Sequence, residues 1–317
     1  MKNRGIGKSR HREIGKTGLA RSLDLISRFP DVPISRSLDP RMSRSAIHSE
    51  NLRNYYLALF TRWGPQCWWP AQTRFEVIVG AYLTQNTNWS NVEKAIANLK
   101  RQRMLSIKAI REIHIWNLEE LVRPSGYFRQ KARRLKGFVE FLDKQYSGSL
   151  DRMFAQPTTA LRAELLALNG IGPETADSIL LYGGNHPVFV VDAYTRRILE
   201  RHRLIKKKTT YEEIRALVES AVSNAPPAAL TVIQAGKDSR HPVSRMSSME
   251  RSELSQHYNE FHALIVRVGS EYCRSKPRCE GCPLQGFLPE KGMGALRPAT
   301  PVVSKRAKAK NKITASK

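Results

Sequence analysis

An all-α fold is predicted for the 317-residue chain by three features of its sequence. Apolar residues recur near the 3.6-residue period in segment after segment from about residue 48 onward. The only strand-like run, Pro187-Val188-Phe189-Val190-Val191, is five residues long and isolated, which suits a buried connector better than a sheet. No internal repeat is visible.

The elements follow in order. A helix over 51–63 carries Leu52, Tyr55, Tyr56, Leu59 and Phe60 on one stripe, and another over 74–84 carries Phe75, Val77, Ile78 and Tyr82. A third starts near Ser90, a residue type suited to capping, and runs through Val92, Ala95, Ile96 and Leu99. Short helical patterns at 106–113 and 117–122 precede a long one at 128–146, with Ala132, Leu135, Phe138, Val139 and Leu142 on one side. Helices at 158–168 and 174–181 flank a turn containing Gly170 and Gly172. Others are expected at 192–202, 211–222 and 250–270, with a polar surface loop at 234–248.

Apolar residues make up 41% and charged residues 26%, a globular balance that excludes a wholly disordered chain. Lys and Arg number 53 against 28 Asp and Glu, a net charge of +25 that attracts polyanions, nucleic acid first. Residues 1–50 hold 11 basic and 5 acidic side chains, and 291–317 hold 8 basic and none acidic. Both ends read as basic, disordered extensions that raise affinity for phosphate backbones. No run of 18 apolar residues occurs, so no membrane span is expected. The Arg- and Ser-rich stretch 1–45 is compatible with organellar targeting or with translation starting at Met42. A bacterial protein of this kind would be cytoplasmic and nucleoid-associated.

The segment Leu168-Asn169-Gly170-Ile171-Gly172-Pro173-Glu174-Thr175-Ala176 joins two helices through a Gly-x-Gly hairpin, and Pro173 fixes the first turn of the second. Backbone N–H groups at such a turn favour an anion, with a DNA phosphate the obvious one. Eighteen positions after Glu174 stands Asp192, at the end of an apolar run and the start of a helix, where a capping role is also open.

Hairpin, loop and aspartate at this spacing resemble the helix-hairpin-helix DNA glycosylase superfamily, to which endonuclease III belongs, over about residues 50–285. The resemblance implies two helical domains around an active-site cleft. One is discontinuous, from 46–71 plus 191–290, and the other is a bundle over 72–190 ending in the hairpin. It implies that Asp192 is catalytic and stabilises the positive charge that develops on the sugar. It implies DNA contacts by Asn169, Gly170, Ile171, Gly172 and Thr175. Members that also cleave the strand place a lysine nucleophile where this chain has Glu174, and a carboxylate forms no imine. Glu174 therefore implies a monofunctional enzyme.

Trp68-Trp69-Pro70 and Trp89 flank a segment containing Gln85-Asn86-Thr87. Adjacent tryptophans are expected to face different ways. The string resembles the endonuclease III-like 3-methyladenine glycosylase branch, in which the matching aromatics sandwich the extruded base. That implies a base pocket of Trp68, Trp69 and Trp89, suited to a cationic alkylated purine. Glu174 would favour the same cation. Gln85 falls where the superfamily places a residue that fills the hole left in the duplex.

Cys273-x5-Cys279-x2-Cys282 resembles the [4Fe–4S] loop of endonuclease III, but the first spacing is one residue short and Leu288 stands at the fourth thiolate position. No cofactor is expected to be required; zinc or a labile cluster on the three cysteines is the alternative. His262 reads as a packed core residue. The basic run Arg129, Lys131, Arg133, Arg134 and Lys136 fits a solvated face and a DNA-contacting face equally.

The sequence thus predicts a monomeric DNA glycosylase of base excision repair. Its expected reaction is hydrolysis of the N-glycosidic bond of alkylated purines, 3-methyladenine foremost, in double-stranded DNA. The alternatives are an endonuclease III-like glycosylase and lyase for oxidised pyrimidines, and a non-catalytic DNA-binding protein.

Overall fold

The computed structural model describes residues 44–223, 239 and 241–289, and the two basic extensions lie outside them. Twelve α-helices carry this part of the chain, with no strand among the described residues. They are α1 (Arg44–Trp63), α2 (Arg74–Thr84), α3 (Trp89–Arg101), α4 (Ile107–Glu112), α5 (Ile115–Val122) and α6 (Phe128–Tyr146). There follow α7 (Leu150–Phe154), α8 (Thr158–Ala167), α9 (Pro173–Ser178), α10 (Ala193–Arg201), α11 (Tyr211–Val222) and α12 (Glu253–Glu271).

Helix starts follow side chains that accept the first free N–H groups. Thr73, Asn88, Ser106, Ser149, Asp192, Thr210 and Ser252 all do so. Thr210 and Glu213 form a reciprocal capping box. Asn88, not Ser90, caps α3; Ser90 Oγ donates to the Asn88 side chain instead.

Helices α2 to α6 pack on one another, as do α1, α10, α11 and α12. The π-turn Ile179–Gly183, which continues α9, touches both α2 and α12. All these elements belong to one compact unit, Leu38–Arg297. The run 188–191 is the buried connector expected of it: Val188, Phe189, Val190 and Val191 are each at most 3% exposed and form no strand.

Two expectations are corrected. Lys131, read as part of a surface run, is buried, and its Nζ donates to the carbonyls of Leu83 (2.9 Å) and Ser125 (2.7 Å). It closes the C-terminal end of α2, where helix carbonyls lack intrahelical donors. The described part of the stretch expected as surface loop is exposed at Pro242, Val243, Arg245 and Ser248 but also anchors inward. Ser244, Met246 and Ser247 are buried, Ser244 Oγ donates to Trp69 O (2.8 Å), and Met246 N donates to Ala71 O (3.1 Å).

Candidate active site

The hairpin is built as its glycines suggest. Helix α8 ends at Ala167 with Leu168 extended at its C-cap, Gly170 takes a left-handed φ of +80°, and Gly172 precedes Pro173 at the first turn of α9. Ile171 is buried and anchors the turn, while Asn169 and Gly172 are exposed on it. A Cβ on Gly170 would lie 1.9 Å from Arg134 Nε, so this guanidinium of α6 rests directly on the hairpin backbone.

Gln85 ties α2 to that turn. Its Nε2 donates to Gly170 O (2.9 Å) and Thr175 Oγ1 (3.0 Å), and its Oε1 accepts from Arg134 Nη1 (2.7 Å). A residue expected to reach into DNA is here bonded within the protein, and Thr175 is buried beneath it. Behind the hairpin, Asp177 is fully buried. It accepts from Arg162 at 2.6 and 3.1 Å and from Tyr211 Oη at 2.8 Å, which fixes α9 to α8 and α11.

The buried connector delivers Asp192 to the start of α10. Its Oδ1 accepts from Thr195 N (2.7 Å) and Thr195 Oγ1 (2.8 Å), so the residue is an N-cap. The cap uses one oxygen only. Oδ2 is turned toward His262 Nε2, 3.9 Å away, and the side chain is 12% exposed.

Glu174, at the start of α9, reaches solvent, yet burial of its carboxyl and the negative charge of Asp192 push it up to about 7. The side chain is exposed, and water screens the size of the effect without changing its direction. The two carboxyls expected to share the site are thus close enough to feel one another. No lysine stands at the Glu174 position.

The three tryptophans converge but do not stand apart. Ring centroids lie 5.0 Å apart for Trp68 and Trp69, 5.1 Å for Trp68 and Trp89, and 5.2 Å for Trp69 and Trp89. A base stacked between two rings needs them about 7 Å apart, twice a van der Waals contact. The rings therefore fill the expected slot themselves. The expectation that Trp68 and Trp69 face different ways is wrong, since both turn into one cluster. Trp69 lies flat enough on α2 that a Cβ on Gly80 would be 2.9 Å from it, and its other side meets Tyr182 at 5.2 Å. His241 covers Trp68 at 5.0 Å.

His262 is the packed core residue expected of it, but the sequence did not show that it and Tyr182 would lie beside Asp192 and Trp69. The Tyr182 hydroxyl is hydrogen-bonded to His262 Nδ1, and both residues are buried. The signal was faint, a histidine on an apolar helix face, and only the fold brings it beside Asp192.

The cysteine loop follows α12. Cys273, Cys279 and Cys282 line a recess with Leu284 and Leu288, and Cys273 Sγ accepts from Arg201 Nη1 at 3.2 Å. A four-thiolate cluster does not fit this set, because Leu288 offers no ligand atom and Cys67 is buried beside the tryptophans. Among the described residues no group of three His, Cys, Asp or Glu side chains could hold a metal ion.

Comparison with known proteins agrees with this architecture. Residues 79–224 match the HhH-GPD superfamily of base excision DNA repair proteins. The chain is 41% identical over 240 residues to a Methanocaldococcus jannaschii protein named "Putative DNA repair glycosylase MJ1434", covering 75% of this chain and 96% of that one. The structure resembles that of an H. pylori 3-methyladenine DNA glycosylase bound to 1,N6-ethenoadenine, with TM-score 0.56, 30% identity, and coverage of 73% of this chain and 98% of the other. It shares the fold of a trapped endonuclease III–DNA covalent intermediate, with TM-score 0.56, 18% identity, and coverage of 78% and 97%. The chain belongs to the helix-hairpin-helix, endonuclease III-like DNA glycosylase superfamily. It is a DNA glycosylase of base excision repair, and its substrate is DNA.

Proposed function

We propose that this glycosylase is monofunctional and releases alkylated purines, 3-methyladenine foremost, from duplex DNA. The observation that carries the reading is Glu174: a carboxylate at the start of α9, near enough to Asp192 to feel its charge, where strand-cleaving relatives need an amine. The reading requires the packed tryptophan rings to part; once open, their electron-rich faces would bind a cationic base better than a neutral one. The H. pylori relative crystallised with a modified adenine points the same way.

In this mechanism the cationic base departs with the electron pair of the C1′–N bond and becomes neutral, so no acid has to protonate it. Asp192 stabilises the oxocarbenium-like sugar, and Thr195 holds one of its oxygens in place. Water adds its oxygen to C1′ and gives up a proton, for which Asp192 is the nearby base. Glu174 favours positive charge on the base when ionised and accepts no sugar carbon. An abasic site in an intact strand is the product.

As part of the same proposal, the enzyme works as a monomer without a resident cofactor. The same reading puts Asp192 in a cleft between a discontinuous domain of residues 46–71 plus 191–290 and the bundle over 72–190. Methylated duplex DNA tests the reading. Release of methylated purines, an unbroken strand and no borohydride-trapped adduct are expected. Release of oxidised pyrimidines with strand cleavage and a trapped adduct would overturn it.

A further inference from the structure

The oxygen of Asp192 that does not cap α10 faces His262, whose Nε2 has no hydrogen-bond partner. His262 Nε2 is buried without a hydrogen-bond acceptor and lies 3.9 Å from Asp192 Oδ2. The ring's other nitrogen, Nδ1, is bonded to the hydroxyl of Tyr182, a side chain 1% exposed and wedged against Trp69. We propose that His262 is a positioning residue of this glycosylase: its Nε2–H holds Asp192 Oδ2 toward the sugar, with Tyr182 fixing the tautomer that makes this possible.

The tautomer follows from the surroundings. Burial raises the Tyr182 hydroxyl far above its ordinary range, so the proton stays on oxygen and is available to donate to Nδ1. Burial also holds His262 below the ordinary histidine range, leaving the ring neutral with one proton. If Tyr182 donates to Nδ1, that proton sits on Nε2 and points at a carboxylate. The opposite tautomer would set a lone pair against the same carboxylate, which is repulsive.

The gap is about 1 Å longer than a hydrogen bond. Catalytic hydrogen bonds are often long in free enzymes and tighten in the bound complex. The buried position matters too. A partner in water would lose most of its pull on Asp192, whereas one shielded from solvent keeps it. Through Tyr182 the same unit touches the tryptophan cluster, so parting of the rings and placement of Oδ2 are mechanically linked.

This inference rests on Asp192 being the reacting carboxylate, and the test separates the two. Single-turnover base release from methylated DNA is measured beside affinity for a duplex carrying a stable abasic analogue. His262→Phe keeps a flat ring and removes the donor. Its single-turnover rate is expected to fall about 10- to 100-fold, the worth of one hydrogen bond to a charged group, with affinity for the abasic analogue unchanged; the Tyr182 hydroxyl it orphans lowers the melting temperature, so rates are compared where both proteins are folded. His262→Gln places an amide N–H near the lost Nε2–H and recovers most of that loss. Should His262→Phe fail to fold, Tyr182→Phe, which removes only the hydroxyl, is expected to lower the rate in the same direction. Wild-type rates in the folded Phe variants, or a His262→Gln rate no better than that of His262→Phe, would overturn the positioning role. Wild-type release by Asp192→Asn would instead overturn the assignment of Asp192 itself.

Discussion

Glu174 and Asp192 sit close enough that the charge of Asp192, added to burial, pushes the Glu174 carboxyl up to about 7. The pair has a stability consequence with a definite sign. An acid whose pKa is raised on folding contributes stability that is full below its ordinary value near 4.5 and is lost as pH rises through 7. Glu174→Gln removes this dependence. Thermal melts are therefore expected to show the variant gaining on wild type between pH 5 and pH 8. Glu260, also pushed up to about 7 by burial, leaves part of the wild-type slope in place. A constant difference between the two proteins across that range would contradict the geometry.

Gly170→Ala disturbs two things at once. The residue must hold φ near +80°, and its new Cβ would collide with Arg134 Nε. A stability loss of about 1–2 kcal/mol is expected from the left-handed backbone alone. Displacing Arg134 from Gln85 should also weaken DNA binding, more so at low salt, where phosphate contacts count most. Denaturant titration and fluorescence anisotropy at two salt concentrations measure both effects.

Arg162→Ala leaves Asp177 buried with only the Tyr211 hydroxyl and loses a bidentate partner. Breaking one side of such a pair costs roughly 3–5 kcal/mol. Because Asp177 anchors α9, hydrogen exchange is expected to rise first in the segment that carries Glu174.

Trp89→Ala tests the aromatic cluster. Rings packed at 5.0–5.2 Å must separate to admit a base. Tryptophan emission is thus expected to change on binding a duplex with an alkylated purine, and to change much less with an undamaged duplex. In the variant that signal shrinks and the release rate falls. An emission change identical for both duplexes would mean that no base reaches the cluster.

Much of this was legible in the residues. The helix expected over 211–222 matches α11 at both ends, where the structure shows Thr210 capping it and Ile214, Val218, Ala221 and Val222 buried on one face. The hairpin was legible through Gly170 and Pro173, whose backbone demands are local. Lys131 was not. A cation in a basic run reads as surface, and its burial depends on two carbonyls, of Leu83 and Ser125, that only folding brings to it. The five-residue α7 is too short to show a period. The candidate site divides the same way. Asp192 was found from its spacing to Glu174, whereas His262 lies 70 residues further on and becomes its neighbour only when α12 packs against α10. The closed tryptophan cluster was missed because a sequence shows which rings are present and not whether they stack on one another.

In the proposed mechanism Asp192 drives excision of an alkylated purine. Its most direct test compares wild type and Asp192→Asn on methylated duplex DNA, with the released bases separated by chromatography. Asn caps a helix as well as Asp does, so the variant is expected to fold and to bind DNA normally. Wild type should liberate 3-methyladenine, and the variant should do so about 100-fold or more slowly. Equal release by the two proteins, or no methylated base freed by wild type, would contradict the account.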